Sequence, residues 1–245
     1  MLSVAVIVKN EEQNLPRMLA SITWADEIVV LDTGSKDKTI QIAEQAGCKV
    51  FESAWLGFGK CKQIAVDYCS HDWILSLDAD EVVSPELEKR IKELIHSQAK
   101  YAGYRVKRKS FYLNKRIDHC GWNHDYTLRL FRKDRGHFNT KMVHESVQIQ
   151  GEIGYIEEHL LHYTYPTINS HLTKMILYSD LGSSSLSERG KRTTLIEAFC
   201  QANWKFFKMF FLQLGFLDGK VGFILCYNSA MGVFWKYAKL WELKH

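Results

Sequence analysis

Four apolar runs, each ending in polar residues, set the rhythm of the first eighty residues. Val4-Ala5-Val6-Ile7-Val8, Ile28-Val29-Val30-Leu31, the short Lys49-Val50-Phe51 and Trp73-Ile74-Leu75-Ser76-Leu77 have the length and β-branched or aromatic character of strands. The last of these is apolar almost throughout, as a strand buried on both faces requires. Between the runs the period changes. Leu15, Met18, Leu19 and Ile22 recur at i, i+3, i+4 and i+7 behind Asn14 and Pro16, and Ile40, Ile42, Ala43 and Ala46 line a second helix that stops at Gly47. A third helix covers roughly residues 60–68. Strand and helix alternating at this spacing predict right-handed βαβ crossovers and a mainly parallel central sheet, an α/β fold.

Beyond the fourth strand the pattern is less regular. Ser84-Pro85 opens a helix with Leu87, Ile91, Leu94 and Ile95 on one face and Glu86 and Glu88 in its first turn, where the helix dipole favours them. Residues 104–112 alternate aromatic or apolar with basic side chains, which predicts a half-exposed strand, read as a sheet edge guarded by lysine and arginine in preference to an acceptor-binding strand. Ser183–Ser187 reads as a connection. From Leu195 onward aromatics, among them Trp204, Phe207, Phe211 and Trp235, are interleaved with Lys205, Lys208, Lys220, Lys236 and Lys239. No uninterrupted apolar stretch reaches the roughly 20 residues that span a bilayer. Helices of this composition fit contact with a membrane surface, aromatics at the acyl boundary and lysines at anionic headgroups, or packing on the rest of the chain.

Composition narrows the class. At 245 residues, 46% hydrophobic and 24% charged, the chain is long enough for one large α/β domain with a helical appendage and is far from a disordered composition. A net charge of +4 is too small to argue for nucleic acid, but uneven basic clusters beside aromatics suit an anionic membrane or a phosphorylated substrate. Six cysteines without a C-x-x-C pair, and no signal peptide before Leu2, lead us to expect free thiols in a reducing cytoplasm.

The candidate chemistry sits where the strands end. Lys9-Asn10-Glu11-Glu12, Asp32-Thr33-Gly34-Ser35-Lys36-Asp37-Lys38-Thr39 and Asp78-Ala79-Asp80-Glu81 each follow a predicted parallel strand, the edge at which open α/β sheets bind ligands. Alternation along an extended backbone would send Asp78 and Asp80 to one side, where a divalent cation could be held with diphosphate oxygens on its other positions. Taken alone, the second segment is equally a capped turn and D-x-D a solvated one. His159 and His162, three apart on a strand, point to opposite faces and read as core or acceptor-side residues.

The motifs Val6–Glu12, Asp32–Thr39 and Leu77–Glu81 resemble the N-terminal half of family 2 glycosyltransferases. With Gly57-Phe58-Gly59, Leu128–Lys133, Val143-His144-Glu145 and Gly215–Gly219, the chain most resembles the lipopolysaccharide-core β-1,4-glucosyltransferase subgroup. The resemblance implies a GT-A catalytic domain over residues 1–165, with a nucleotide-sugar half at 1–100 and an acceptor half at 101–165, and a C-terminal helical region over 166–245. Val8, Lys9, Asn10, Glu11, Asp32 and Gly34 would surround the nucleoside, and Lys62 would approach the nucleotide. Asp78, Ala79 and Asp80 would meet ribose and the metal, Mg2+ or Mn2+. Lys62-Gln63 stands where the family commonly has Arg-Asn, which keeps the charge and loses the bidentate fork.

An inverting transferase of this kind needs a carboxylate to take the acceptor's proton. Glu145 is the first candidate and Asp125 the second, with His144 as a third metal ligand through neutral imidazole or as an ordering residue. The implied partners are a UDP-sugar donor, a lipid-linked lipopolysaccharide-core saccharide as acceptor, and the cytoplasmic face of the inner membrane, with no nucleic acid. A nucleotidyltransferase using the same metal site, or a non-catalytic nucleotide-sugar-binding module at the membrane surface, are the competing readings.

Overall fold

The computed structural model describes residues 1–97, 100–123, 125–139 and 146–243. They divide into two compact units, one of Met1–Arg108 with Asp125–His162, the other of Lys109–His124 with Tyr163–His245. Residues 109–124 therefore group with the C-terminal helices, whereas the sequence pattern kept them with the strands.

The first unit alternates as expected: β1 (Leu2–Val8), α1 (Leu15–Ala20), β2 (Glu27–Asp32), α2 (Thr39–Gln45), β3 (Lys49–Glu52), α3 (Phe58–Asp67) and β4 (Trp73–Asp78). A short β5 (Glu81–Val83) precedes α4 (Pro85–His96), whose N-cap Ser84 accepts from the Leu87 amide. Then come β6 (Gly103–Tyr112), β7 (Lys115–Arg116), β8 (Tyr126–Arg132), the hairpin pair β9 (Gly136–Phe138) and β10 (Val147–Ile149), and the long β11 (Ile153–Tyr165). The sheet runs β3-β2-β1-β4-β8-β6-β11-β5, with β7 paired to β6. Its first four strands are parallel, and from β4 outward the pairs β4–β8, β8–β6 and β11–β5 are antiparallel.

Both faces of the parallel part are buried. On one face Val4, Val6, Val8, Val30, Leu75 and Leu77 pack with Leu15, Met18, Leu87 and Ile91. On the other, Ala5, Val29, Leu31 and Ile74 meet Cys61, Ala65 and Val66 of α3. Each such aliphatic side chain contributes about 1.5–3 kcal/mol when fully buried. This double-sided packing fixes the positions of the strand ends.

One expectation is corrected by the topology. Residues 104–112 do not form an edge: β6 lies between β8 and β11. An interior strand tolerates its charges because neighbouring strands match them. Lys107 Nζ donates to Glu157 Oε2 at 3.0 Å, and Arg108 is held by Glu81 and Asp125.

The second unit is helical: α5 (Ile168–Glu188), α6 (Leu195–Phe207), a π-helical turn over Lys208–Leu212, a 3-10 turn over Gly215–Asp218 and α7 (Gly219–Glu242). Thr167 and Thr194 cap α5 and α6. The serine-rich stretch expected as a connection is the last part of α5. Its hydroxyls bond back into their own helix, Ser179 to the Ile176 carbonyl at 2.7 Å and Ser183 to that of Asp180 at 2.9 Å. A glycine of α7 makes room for α5 in turn, since a Cβ on Gly232 would stand 3.0 Å from Met175 Cγ.

A buried carboxylate ties distant parts of this unit together. Asp218 accepts from the backbone amides of Asp118 at 3.2 Å and His119 at 3.0 Å and lies 3.1 Å from His119 Nδ1, one hundred residues away in sequence from the first. Cys120 beside it holds φ +58°. Among the described residues no single helix is long and apolar enough to cross a membrane; Leu195–Leu212 and Gly215–Glu242, bent by 74°, satisfy length and composition only as a pair.

Candidate active site at the strand ends

Register brings the predicted turns to one rim. Val8 pairs with Asp32, and Ile7, one residue earlier on β1, pairs with Asp78, so β1, β2 and β4 end side by side. The turns after β1 and β2 are then laced together. The Asn10 amide donates to Ser35 Oγ at 2.9 Å, the Lys36 amide to Asn10 Oδ1 at 2.8 Å and the Glu11 amide to Thr39 Oγ1 at 2.8 Å. Asn10 reaches this geometry at φ +55°, a conformation asparagine adopts more readily than most residues. Gly34 follows at φ +99°.

Asp32 is the centre of the lacing. It is 1% exposed, and its Oδ2 accepts from the amides of Gly34 at 2.8 Å and Ser35 at 2.9 Å. Its Oδ1 is buried and has no hydrogen-bond partner among the described residues. The capped turn is thus present on one oxygen, and the other is left without a donor among the described residues. An unmatched buried carboxylate oxygen is unfavourable until a donor reaches it. Val8 beside it is buried, Glu11 is half-buried, and Lys9 and Asn10 are exposed.

At the end of β4 the charges form an alternating chain. Asp78 Oδ1 takes the Lys62 ammonium at 2.8 Å and Oδ2 takes the Arg129 guanidinium. Arg129, 5% exposed on β8, also donates to Glu81 Oε1 at 2.7 Å. Glu81 receives Arg108 at 3.2 Å, and Arg108 in turn clamps Asp125, from Nε at 2.8 Å. Burial pushes the Asp78 carboxyl up, but Arg129 and Lys62 outweigh it and hold the group well below the usual carboxylate range. For Arg129 burial acts downward, and Asp78 and Glu81 outweigh it, so its charge is secure.

Asp80 does not join its neighbour. Residues 79 and 80 form a turn, so the extended alternation expected of D-x-D is lost. Asp78 goes to Lys62 and Arg129, while Asp80 Oδ1 lies 3.5 Å from His162 Nε2. His162 arrives there because β11 pairs antiparallel with β5, His162 opposite Glu81. Ala79 between them is buried.

Among the described residues no three His, Cys, Asp or Glu side chains make an all-protein ion cage. A diphosphate-bound Mg2+ or Mn2+ needs less: one or two protein ligands, with phosphate and water on the remaining positions. Asp80 and His162 fit that partial set, whereas both oxygens of Asp78 are engaged by cations. Lys62, expected near the nucleotide, is 4% exposed at Asp78. Asp125 is engaged by Arg108, and Glu145 and His144 lie outside the described residues. On sequence, Arg129 and Arg108 have no role at the strand ends, Glu81 is only the last residue of its acidic segment, and His162 reads as core or acceptor-side. Arg129 alone left a local signal, a charge inside the apolar run Leu128–Phe131.

Comparison with known proteins gives the geometry a family. Residues 3–155 match the sequence profile of "Glycosyl transferase family 2". An uncharacterized glycosyltransferase of Rickettsia felis is 33% identical over 253 residues, covering 98% of this chain and 89% of that one. The lipopolysaccharide core biosynthesis glycosyltransferase LpsC of Rhizobium meliloti is 27% identical over 248 residues, covering 98% of this chain and 92% of its own. Among solved structures, S. aureus TarS superposes with a TM-score of 0.48 at 17% identity over 74% of this chain, which spans only 39% of TarS, a likeness too slight to carry argument.

Proposed function

The chain belongs to glycosyl transferase family 2 and is a glycosyltransferase, and from that premise we propose that it moves a hexose, glucose from UDP-glucose, with inversion onto a lipopolysaccharide inner-core saccharide. The observation that carries the reading is the shared rim: an unmatched buried Asp32 oxygen and the Asp80–His162 pair on adjoining strand ends. Asp32 Oδ1 accepts the N3–H of the uracil or a ribose hydroxyl, while Oδ2 keeps the turn closed. Asp80 and His162 would hold a divalent cation, which would supply positive charge against that growing on the departing diphosphate. Asp78 stays ionised between Lys62 and Arg129 and keeps the β4 end rigid. Deprotonation of the acceptor hydroxyl falls to Glu145, with Asp125 as the second candidate.

Similarity to LpsC supports the acceptor class. Exposed Ile196, Phe199, Trp204, Phe207 and Phe211 on α6 and the turn after it support attachment at the cytoplasmic face of the inner membrane. The test is incubation with a panel of UDP-sugars and Mg2+ or Mn2+, with and without lipopolysaccharide-core acceptors. Acceptor-dependent release of UDP from UDP-glucose is expected. Release of pyrophosphate instead, or no turnover with any donor, would overturn the reading.

A further inference from the structure

The second unit contains a cavity of about 350 Å³ that the transfer reaction described above does not use; its walls include Trp122, Tyr165, His171, Tyr178, Lys205 and Lys236. That volume is in the range, on the order of 300–1,000 Å³, of sites that take small organic ligands. Lys205 comes from α6 and Lys236 from α7, and no aspartate or glutamate lines the space among the described residues. The nearby carboxylate of Asp180 is already engaged by Lys239 at 2.6 Å.

The fold accommodates this concentration of positive charge deliberately. Gly182 leaves room for the Lys236 stem: a Cβ there would stand 2.9 Å from Lys236 Cδ and 3.2 Å from Cγ. The Lys236 ammonium lies 4.7 Å above the Tyr237 ring. Burial lowers the affinity of both lysines for their protons, and for Lys236 the neighbouring charges of Lys191 and Lys205 lower it further. Like charges held together and half shielded from water are unfavourable until an anion joins them.

The other walls suit the group that an anion would carry. Tyr112 Oη accepts from Asn228 Nδ2 at 3.2 Å and shares a hydrogen bond with His171 Nδ1 at 2.9 Å. Burial brings His171 down to about 4, so the ring is neutral at pH 7. Tyr165 stacks on it at 4.2 Å, and with Trp122 and Tyr178 supplies aromatic surface for an apolar face of a ligand. We infer that this cavity is an anion site that takes a phosphate ester between Lys205 and Lys236, carried on a sugar or on a lipid headgroup.

The experiment compares the full chain with the double variant Lys205→Gln/Lys236→Gln, which keeps most of each stem and removes both charges. Glucose 6-phosphate, with glucose as control, is titrated by calorimetry, and vesicles of phosphatidylglycerol or phosphatidylcholine are used in co-sedimentation. Phosphate bound at the strand-end site is common to both proteins, so the difference between them reports the cavity. Loss of one charge-assisted contact costs roughly tenfold in affinity, and loss of both more. A fall confined to glucose 6-phosphate assigns the ester to a soluble sugar; a fall confined to phosphatidylglycerol vesicles assigns it to lipid. Unchanged affinity for both probes overturns the inference. Circular dichroism checks the fold. Should the double variant fail it, Gly182→Ala, which displaces the Lys236 stem, is expected to weaken binding, and the charge-preserving Lys205→Arg to retain it; the opposite result in either also overturns the inference.

Discussion

The strand-end rim of the first unit and the lysine cavity of the second treat buried charge in opposite ways. At the rim Lys62, Arg129 and Arg108 face Asp78, Glu81 and Asp125, and the buried atoms left over there are one acceptor, Asp32 Oδ1, and one donor, Arg129 Nε. In the cavity the lining charges are two cations, Lys205 and Lys236, with no lining carboxylate among the described residues. The contrast is one of balance: cations and carboxylates alternate at the rim, whereas the cavity wall carries one sign alone.

The sharpest way to break this contrast is to delete one cation from each region. Arg129→Met leaves Asp78 to Lys62 alone and buried Glu81 to Arg108 alone, and is expected to lower stability by up to about 3 kcal/mol in denaturant titration. Lys205→Gln relieves repulsion instead, and its unfolding midpoint should stay level or rise. A comparable loss in both variants would erase the distinction. Next in size, Asp80→Asn removes the carboxylate that stands 3.5 Å from His162 Nε2. UDP release should fall by roughly 10²–10³ with the melting temperature unchanged. Survival of metal-dependent turnover would shift the ion site elsewhere.

Acid separates the two units as well. Unfolded His171 takes up its proton near 6.5 and the folded residue only near 4, so stability is complete above pH 6.5 and lost as pH falls towards 4. That loss is about 3 kcal/mol. Glu27, on β2, behaves differently. Burial raises it, but Lys49, Ser3 and Ser70 outweigh burial and bring it from 4.5 to about 2, so its contribution survives until pH drops below about 4.5. Hydrogen exchange at pH 5 should therefore accelerate in α5 before it does in β1 and β2, and His171→Gln should flatten the dependence above pH 4.5. Smallest is Asp32→Asn. The amide can keep one oxygen on the Gly34 and Ser35 amides while turning the free acceptor into a donor, so donor KM should rise by roughly 10- to 100-fold with little change in stability. An unaltered KM would mean that Oδ1 meets no substrate.

The parts of this arrangement that were legible in the sequence are those encoded locally. A strand of Val and Ile followed by Lys9-Asn10 or Asp32-Thr33-Gly34 announces both its own burial and the turn at its end, and parallel register then aligns the ends without further information. Distance along the chain hid the rest. His162 reaches Asp80 through a strand pairing eighty-one residues long, Glu81 with His162, and Arg108 meets Asp125 across a segment that leaves the unit and returns. The D-x-D geometry was misread for a different reason: period-2 reasoning holds only while the backbone stays extended, and it turns at 79–80.

The Asp218 clamp on residues 118–119 also fixes an order of events during synthesis. The amides of Asp118 and His119 leave the ribosome about a hundred residues before the carboxylate that will receive them. The parallel strands can pair while that stretch waits, but the loop at 118–120 can take its final shape only once the chain is nearly finished. A nascent chain arrested before Asp218 would carry a formed strand-end rim and a loop still unanchored.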